Sequence, residues 1–150
     1  MKNPVVLLAV MFAVSFTSAQ DVSVKEVPTL VITTLQNNYP NAKELQWEKE
    51  KGNYEAEFEV EKTEYSLLID SLGNILETEV EIKVEALPVK VKDYISKNYA
   101  GQKIKEATKI TDSKGIIYYE AEIEGKDLIF GSQENFIKEE TDEESDNDKD

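Results

Sequence analysis

The chain has 150 residues, with 31 acidic side chains against 17 basic ones, no histidine and no cysteine, and a formal charge of −14. A field of that sign repels phosphate backbones and anionic lipid surfaces, which excludes nucleic acid and peripheral membrane as partners. Without histidine or cysteine there is no ordinary base near neutral pH, no nitrogen or sulfur ligand for zinc and no thiol chemistry, so neither an enzyme nor a cofactor is expected.

The first nineteen residues read as a cleaved signal peptide. Lys2 supplies the positive start, Val5 to Val14 form an apolar run, and Thr17 and Ala19 are the small residues before a cut at Gln20. The run is about half the roughly 20 residues needed to cross a bilayer, so no membrane insertion is expected after cleavage. The mature chain is expected in the periplasm or outside the cell. With no cysteine to bridge there, it must hold together by burying apolar surface.

The next feature is a duplication. Val27-Pro28 returns as Leu87-Pro88 and Asn38-Tyr39 as Asn98-Tyr99, both 60 positions on, while Tyr54-Glu55-Ala56-Glu57-Phe58 returns as Tyr119-Glu120-Ala121-Glu122-Ile123, 65 positions on. The second copy therefore has a longer connection before this strand. The repeats span 27–84 and 87–137. Each opens on a proline suited to a helix start, and Val27, Leu30, Val31, Thr34 and Leu35 in one, Leu87, Val91, Tyr94 and Ile95 in the other, recur at helical spacing. Helices of about ten residues are marginal alone in water, so each must pack on something.

That partner is a sheet. Tyr54, Ala56, Phe58 and Val60 alternate with Glu55, Glu57, Glu59 and Glu61, and the second copy repeats the pattern from Ile117 to Ile123. Further strands are expected at Glu44 to Lys49, Tyr65 to Asp70, Ile75 to Val84, Lys103 to Thr111, Lys126 to Phe130 and Asn135 to Lys138. The reading is α+β: a tandem repeat of a helix followed by four antiparallel strands, the helices packed on one face of a shared sheet. From Lys138 to Asp150 eight acids stand without an apolar partner, and 138–150 is expected to be a disordered tail.

The glutamate rows, Glu55 to Glu61 and Glu77, Glu79 and Glu81, are expected on a solvated sheet face, or on a concave acidic surface that meets a basic partner. Alternate residues of a strand are roughly 6.5 to 7 Å apart, too far to wrap one calcium. Asp70-Ser71-Leu72-Gly73-Asn74 reads as a hairpin turn capped by Asp70 rather than a calcium loop. The candidate interface residues are Trp47, Tyr54, Glu55, Glu57, Glu59, Tyr119 and Glu120, with core packing as the other role open to the aromatics. Trp47 has Ala107 as its counterpart, so the two copies are not equivalent.

Val27-Pro28, Tyr39-Pro40-Asn41-Ala42, Leu45-Gln46-Trp47, the two Tyr-Glu-Ala-Glu strands, Asp70 to Ile75 and Lys126 to Phe130 together resemble the PepSY-like, beta-lactamase-inhibitor-like family of secreted Bacteroidetes proteins. The resemblance covers about 27–137 and implies the same tandem fold. It implies no catalytic, cofactor or metal residues. The expected function is a non-enzymatic protein-binding or inhibitory module acting on an envelope or secreted protein, with a calcium-binding or calcium-stabilised acidic protein as the alternative.

Overall fold

The computed structural model describes residues 20–141, so the expected signal peptide and the chain from residue 142 onward lie outside the described residues. The period-two runs form nine antiparallel strands that pair in chain order: β1 (Gln20–Asp21), β2 (Lys43–Glu50), β3 (Asn53–Val60), β4 (Thr63–Ile69), β5 (Ile75–Glu81), β6 (Glu106–Asp112), β7 (Ile117–Ile123), β8 (Lys126–Phe130) and β9 (Phe136–Thr141). Helix α1 (Thr29–Asn38) precedes β2 and helix α2 (Val89–Asn98) precedes β6. The α+β tandem repeat is thus present. One sheet runs through both copies because β5 of the first pairs with β6 of the second.

The repeated dipeptides have local jobs. Pro28 and Pro88 sit at the N-caps of α1 and α2, one position before the expected one, and their carbonyls accept the first helical amides. At the other end, the side-chain amides of Asn38 and Asn98 donate to the carbonyls of Thr34 and Tyr94 at 2.8 and 2.9 Å, while Tyr39 and Tyr99 close each helix through their own amides. The tyrosine amides therefore satisfy carbonyls that the end of a helix leaves open, and the asparagine side chains brace the turn before it. Two short 3-10 turns, Val24–Glu26 and Val84–Ala86, lead into the prolines and have no counterpart in the sequence reading.

Each helix completes its own apolar cluster. Val31 and Leu35 of α1 pack with Trp47, Tyr54, Ala56, Phe58, Leu67 and Ile69. Val91 and Ile95 of α2 pack with Ala107, Ala121, Ile123, Leu128 and Phe130. Burying one such aliphatic side chain is worth roughly 1.5 to 3 kcal/mol, enough to hold helices that are marginal alone. Leu30, at the expected helical spacing, is exposed.

The 65-residue offset has a structural cause. Trp47 pairs with Ala56 across a hairpin whose turn is Lys51-Gly52, whereas Ala107 pairs with Ala121 across a hairpin five residues longer. The longer loop is closed by Asp112, whose Oδ1 accepts from the amides of Lys114 and Ile116 at 2.8 and 2.9 Å. Asp70 does the same for Leu72 and Asn74 in the turn between β4 and β5, as its expected capping role requires.

The tail boundary needs correction. Residues 138–141 belong to β9, because Lys138, Glu139, Glu140 and Thr141 pair with Ile129, Leu128, Asp127 and Lys126. Their acidic composition hid a strand whose pairing is set by β8.

Gly73 is the turn glycine with the least freedom to change. Its φ is +87°, and a Cβ there would stand 2.9 Å from Thr34 Oγ1 and 3.1 Å from the Leu30 carbonyl, where Thr34 Oγ1 now donates to the Gly73 carbonyl at 2.7 Å. Gly52 has a similar φ of +86° but open space around it. Urea unfolding should therefore show Gly73→Ala costing about 2 kcal/mol or more, and Gly52→Ala about 1 kcal/mol. Equal losses at the two positions would mean that the turn does not bear on α1.

An acid-lined face of the sheet

Register decides which side chains stand together. Trp47, Ala56, Leu67, Thr78 and Thr111 pair successively across β2 to β6 and share one face. On the opposite face, Gln46, Glu57, Ser66, Glu79, Ile110 and Tyr118 form a continuous row across β2 to β7. Rows on either side carry Glu48, Glu55, Leu68, Glu77 and Asp112, and Glu81, Thr108, Glu120, Ile129 and Lys138. From β3 to β7 the charged residues of this face are all acids: Glu55, Glu57 and Glu59 from β3, Glu64 from β4, Glu77, Glu79 and Glu81 from β5, Glu106 and Asp112 from β6, and Glu120 and Glu122 from β7. Lys138 lies on β9, where it pairs with Glu140.

A fully solvated acidic face was expected, and its centre is buried instead. Glu77, Glu79 and Glu120 are 7, 5 and 3 % exposed, and Ser66, Ile110 and Ile129 are buried beside them. Neighbours across paired strands stand only about 5 Å apart. By register Leu68 stands beside Glu77, and Tyr118 beside Ile110 in the row of Glu79.

Burial controls the ionisation of these groups. Glu79 is raised first by desolvation, then by the charges of Glu77, Glu120 and Glu55; Glu77 is raised by desolvation, and the two carboxyls hydrogen-bond to each other. Glu79 is the partner that keeps the proton. Glu120 is pushed up to about 8, again mainly by burial, with Asp127 and Glu140 adding repulsion. Glu55 and Glu57 are also raised by desolvation; at Glu55 the Ser66 hydroxyl, donating to Oε1 at 2.6 Å, works against the shift. The Oε2 atoms of Glu79 and Glu120 are buried with no hydrogen-bond partner, a cost of roughly 1 to 3 kcal/mol for each such group.

Two hollows indent this face. One of about 20 Å³ lies between Glu64, Ser66, Glu79, Glu81, Glu106 and Thr108. The other, of about 140 Å³, is lined by Glu44, Gln46, Glu57, Phe58, Glu59, Glu64 and Tyr65, and Glu64 forms a wall of both. The larger hollow sits at a bulge, where Glu44 and Leu45 together oppose Phe58 and Glu44 takes a φ of +54°.

The structure divides the candidate interface residues. Glu55, Glu57, Glu59 and Glu120 stand on the acid-lined face. Trp47 and Tyr54 are buried in the first apolar cluster, and Tyr119, half-buried, packs against the second. Ser66 and Thr108 were not singled out from the sequence. Their signal is faint: along its own strand Ser66 stands between Glu64 and Leu68, and Thr108 between Glu106 and Ile110, at alternate positions. Among the described residues no group of three acidic side chains is placed to hold a metal ion.

The geometry defines a class: a duplicated α+β protein with one nine-stranded antiparallel sheet and an acid-lined face. The chain belongs to the beta-lactamase-inhibitor-like, PepSY-like family, whose model matches twice, at residues 15–77 and 70–138. Solved structures share the fold at low identity. A protein from Bacteroides eggerthii, described as "putative periplasmic", is 12 % identical over 77 % of this chain and 88 % of its own, with a TM-score of 0.70. A DUF2874 family protein from Bacteroides ovatus is 19 % identical over 79 % and 89 %, with a TM-score of 0.67. A BLIP-like protein from Bacteroides fragilis is 21 % identical over 76 % and 86 %, with a TM-score of 0.58. No curated protein matches the sequence.

The raised carboxyls dictate an unusual pH dependence. A glutamate with a higher pKa in the folded state holds a proton that the unfolded chain has already released, so its stabilisation is complete below the unfolded value near 4.3 and is lost as pH rises toward the folded value. The melting temperature is therefore expected to fall between pH 5 and pH 8.5, by an amount equivalent to at most about 1.4 kcal/mol per pH unit for each retained proton. Glu79→Gln, a neutral isostere, should flatten that slope. A melting temperature that climbs over this range would contradict the buried, protonated state of Glu79.

Proposed function

We propose that this chain is a non-enzymatic, periplasmic protein-binding or inhibitory module, and that its working surface is the acid-lined face of the sheet. Both helices, on this reading, cover the opposite face. The strand residues that pack with α1 and those that pack with α2 lie on the same side by register, which supports that arrangement. The observation that carries the reading is the set of buried glutamates, two with an unpartnered oxygen, on a face whose central strands bring no cation of their own. Such groups are costly in the free protein, and a complementary partner recovers that cost on binding.

Periplasmic placement follows from the signal-like first nineteen residues and from the description of the B. eggerthii structure. No described helix is long and apolar enough to cross a membrane. The non-enzymatic reading rests on the missing histidine and cysteine and on hollows too small to enclose a substrate beside the Glu77 and Glu79 pair.

Photo-crosslinking in the producing cell tests the surface. A crosslinker placed at Glu57 or Glu81 should give a discrete protein adduct, whereas one at Leu30 or Val89, exposed on the two helices, should give none. Adducts from the helix positions alone, or the same ladder from all four, would overturn the assignment.

A further inference from the structure

The hollow at the meeting of β4, β5 and β6 is the most specific feature of the acid-lined face. It is enclosed by Glu64 and Ser66 from β4, Glu79 and Glu81 from β5, and Glu106 and Thr108 from β6. Because β5 ends the first copy and β6 begins the second strand run, this junction occurs once in the molecule. Resting on the function proposed above, we infer that this hollow seats the ammonium group of a lysine side chain carried by the partner polypeptide.

Four properties select that occupant. The first is size: about 20 Å³ suits one group as large as a water molecule, which a compact ammonium matches and a planar guanidinium exceeds. The second is hydrogen-bonding sense. The Ser66 hydroxyl spends its proton on Glu55 Oε1, so toward the hollow it offers lone pairs, and the buried Glu79 has an oxygen with no partner at all. An occupant that brings three donors and no acceptor complements this lining. The third is charge. Glu64, Glu79, Glu81 and Glu106 ring the site, and none takes part in the ion pairs found among the described residues. The fourth is the wide spacing of the acids, which are not placed to ligate a metal directly. Ammonium hydrogen bonds of about 2.8 Å, shared with the two hydroxyls, tolerate a wider ring than calcium bonds of 2.3 to 2.6 Å.

The adjoining 140 Å³ hollow gives the rest of the incoming segment a place to lie. It shares Glu64 and runs to the bulge at Glu44, a non-glycine residue held at φ +54°. A bulge of this kind bends its strand and re-aims the side chains beside it. Apart from the phenol of Tyr118, every titratable group that faces Glu79 across this part of the sheet is a carboxyl: Glu57 and Glu55 from β3, Glu64 from β4, Glu77 and Glu81 from β5, Glu106 and Asp112 from β6, and Glu120 from β7. A lysine that enters therefore displaces the proton of Glu79, and binding tightens as pH rises until the lysine itself begins to lose its proton.

The test is a two-dimensional NMR titration of the full mature chain, at fixed ionic strength, with the capped peptide Gly-Ser-Lys-Ser-Gly. Peptides with arginine or acetyl-lysine in the central position, and calcium chloride alone, are the comparisons. Saturable shifts are expected at Ser66, Glu79 and Thr108, at least fivefold tighter for lysine than for arginine and absent for acetyl-lysine, with affinity rising severalfold from pH 6.5 to 8. Thr108→Val should weaken lysine binding at least threefold while leaving the melting temperature within a few degrees, and Glu79→Gln should remove the pH dependence. Equal affinity for arginine, shifts spread evenly along the face, the same shifts with calcium alone, or no effect of Thr108→Val would each overturn the inference. If the acid-face crosslinks persist while lysine shows no preference, this site is wrong and the binding surface stands; if the crosslinks also vanish, both fall.

Discussion

The pairing of β5 with β6 is the contact on which the rest of the molecule depends. Each repeat alone offers a marginal ten-residue helix and a four-stranded sheet with two open edges, and no disulfide is available to hold either together. Joining β5 to β6 removes one edge from each copy and makes the two sheets continuous, so that two apolar clusters share one frame. It also puts Glu79 opposite Ile110 and Glu81 opposite Thr108, creating at the seam a row of side chains that neither copy possesses.

The seam explains why the acid-lined face behaves unlike an ordinary wet sheet surface. Glutamates at the edge of a sheet stay charged and hydrated at little cost. At the centre of nine strands the same residue type loses its water, and desolvation becomes the main influence on Glu77, Glu79 and Glu120. Holding a proton is the cheapest response open to a buried carboxyl with no cation beside it. Stability and readiness to bind thus pull in opposite directions as pH changes: low pH favours the protonated face, and higher pH favours a face that seeks a cation.

Divergence between the copies has concentrated the distinctive features in the first repeat and at the seam. Trp47 fills a core position that Ala107 leaves small, and Tyr39, Phe58 and Tyr65 pack ring against ring within 5.6 Å in the first unit, where Tyr94, Phe130 and Phe136 from other positions pack within 5.9 Å in the second. The bulge at Glu44 and the larger hollow belong to the first copy. Equivalent backbones have therefore been filled by different solutions.

Much of this architecture was legible in the sequence because it depends on local periodicity. Alternation in Tyr54 to Val60 and Ile117 to Ile123 marked the strands, the three- and four-residue steps at Val31, Leu35, Val91 and Ile95 marked the helices, and the 60- and 65-residue offsets revealed both the duplication and the longer second hairpin. Periodicity says which residues of one strand share a face, but not which residue of the next strand stands beside them. That second relation is set by turn lengths and long-range pairing. It drew Trp47 and Tyr54 inward, extended β9 into acidic residues that looked like tail, and lined up Glu57, Ser66, Glu79 and Ile110 from four strands. The sequence by itself determined that one face of the sheet would be acidic; only the tertiary structure decided that its centre would be dry, because burial belongs to the neighbours a residue acquires and not to the residue itself.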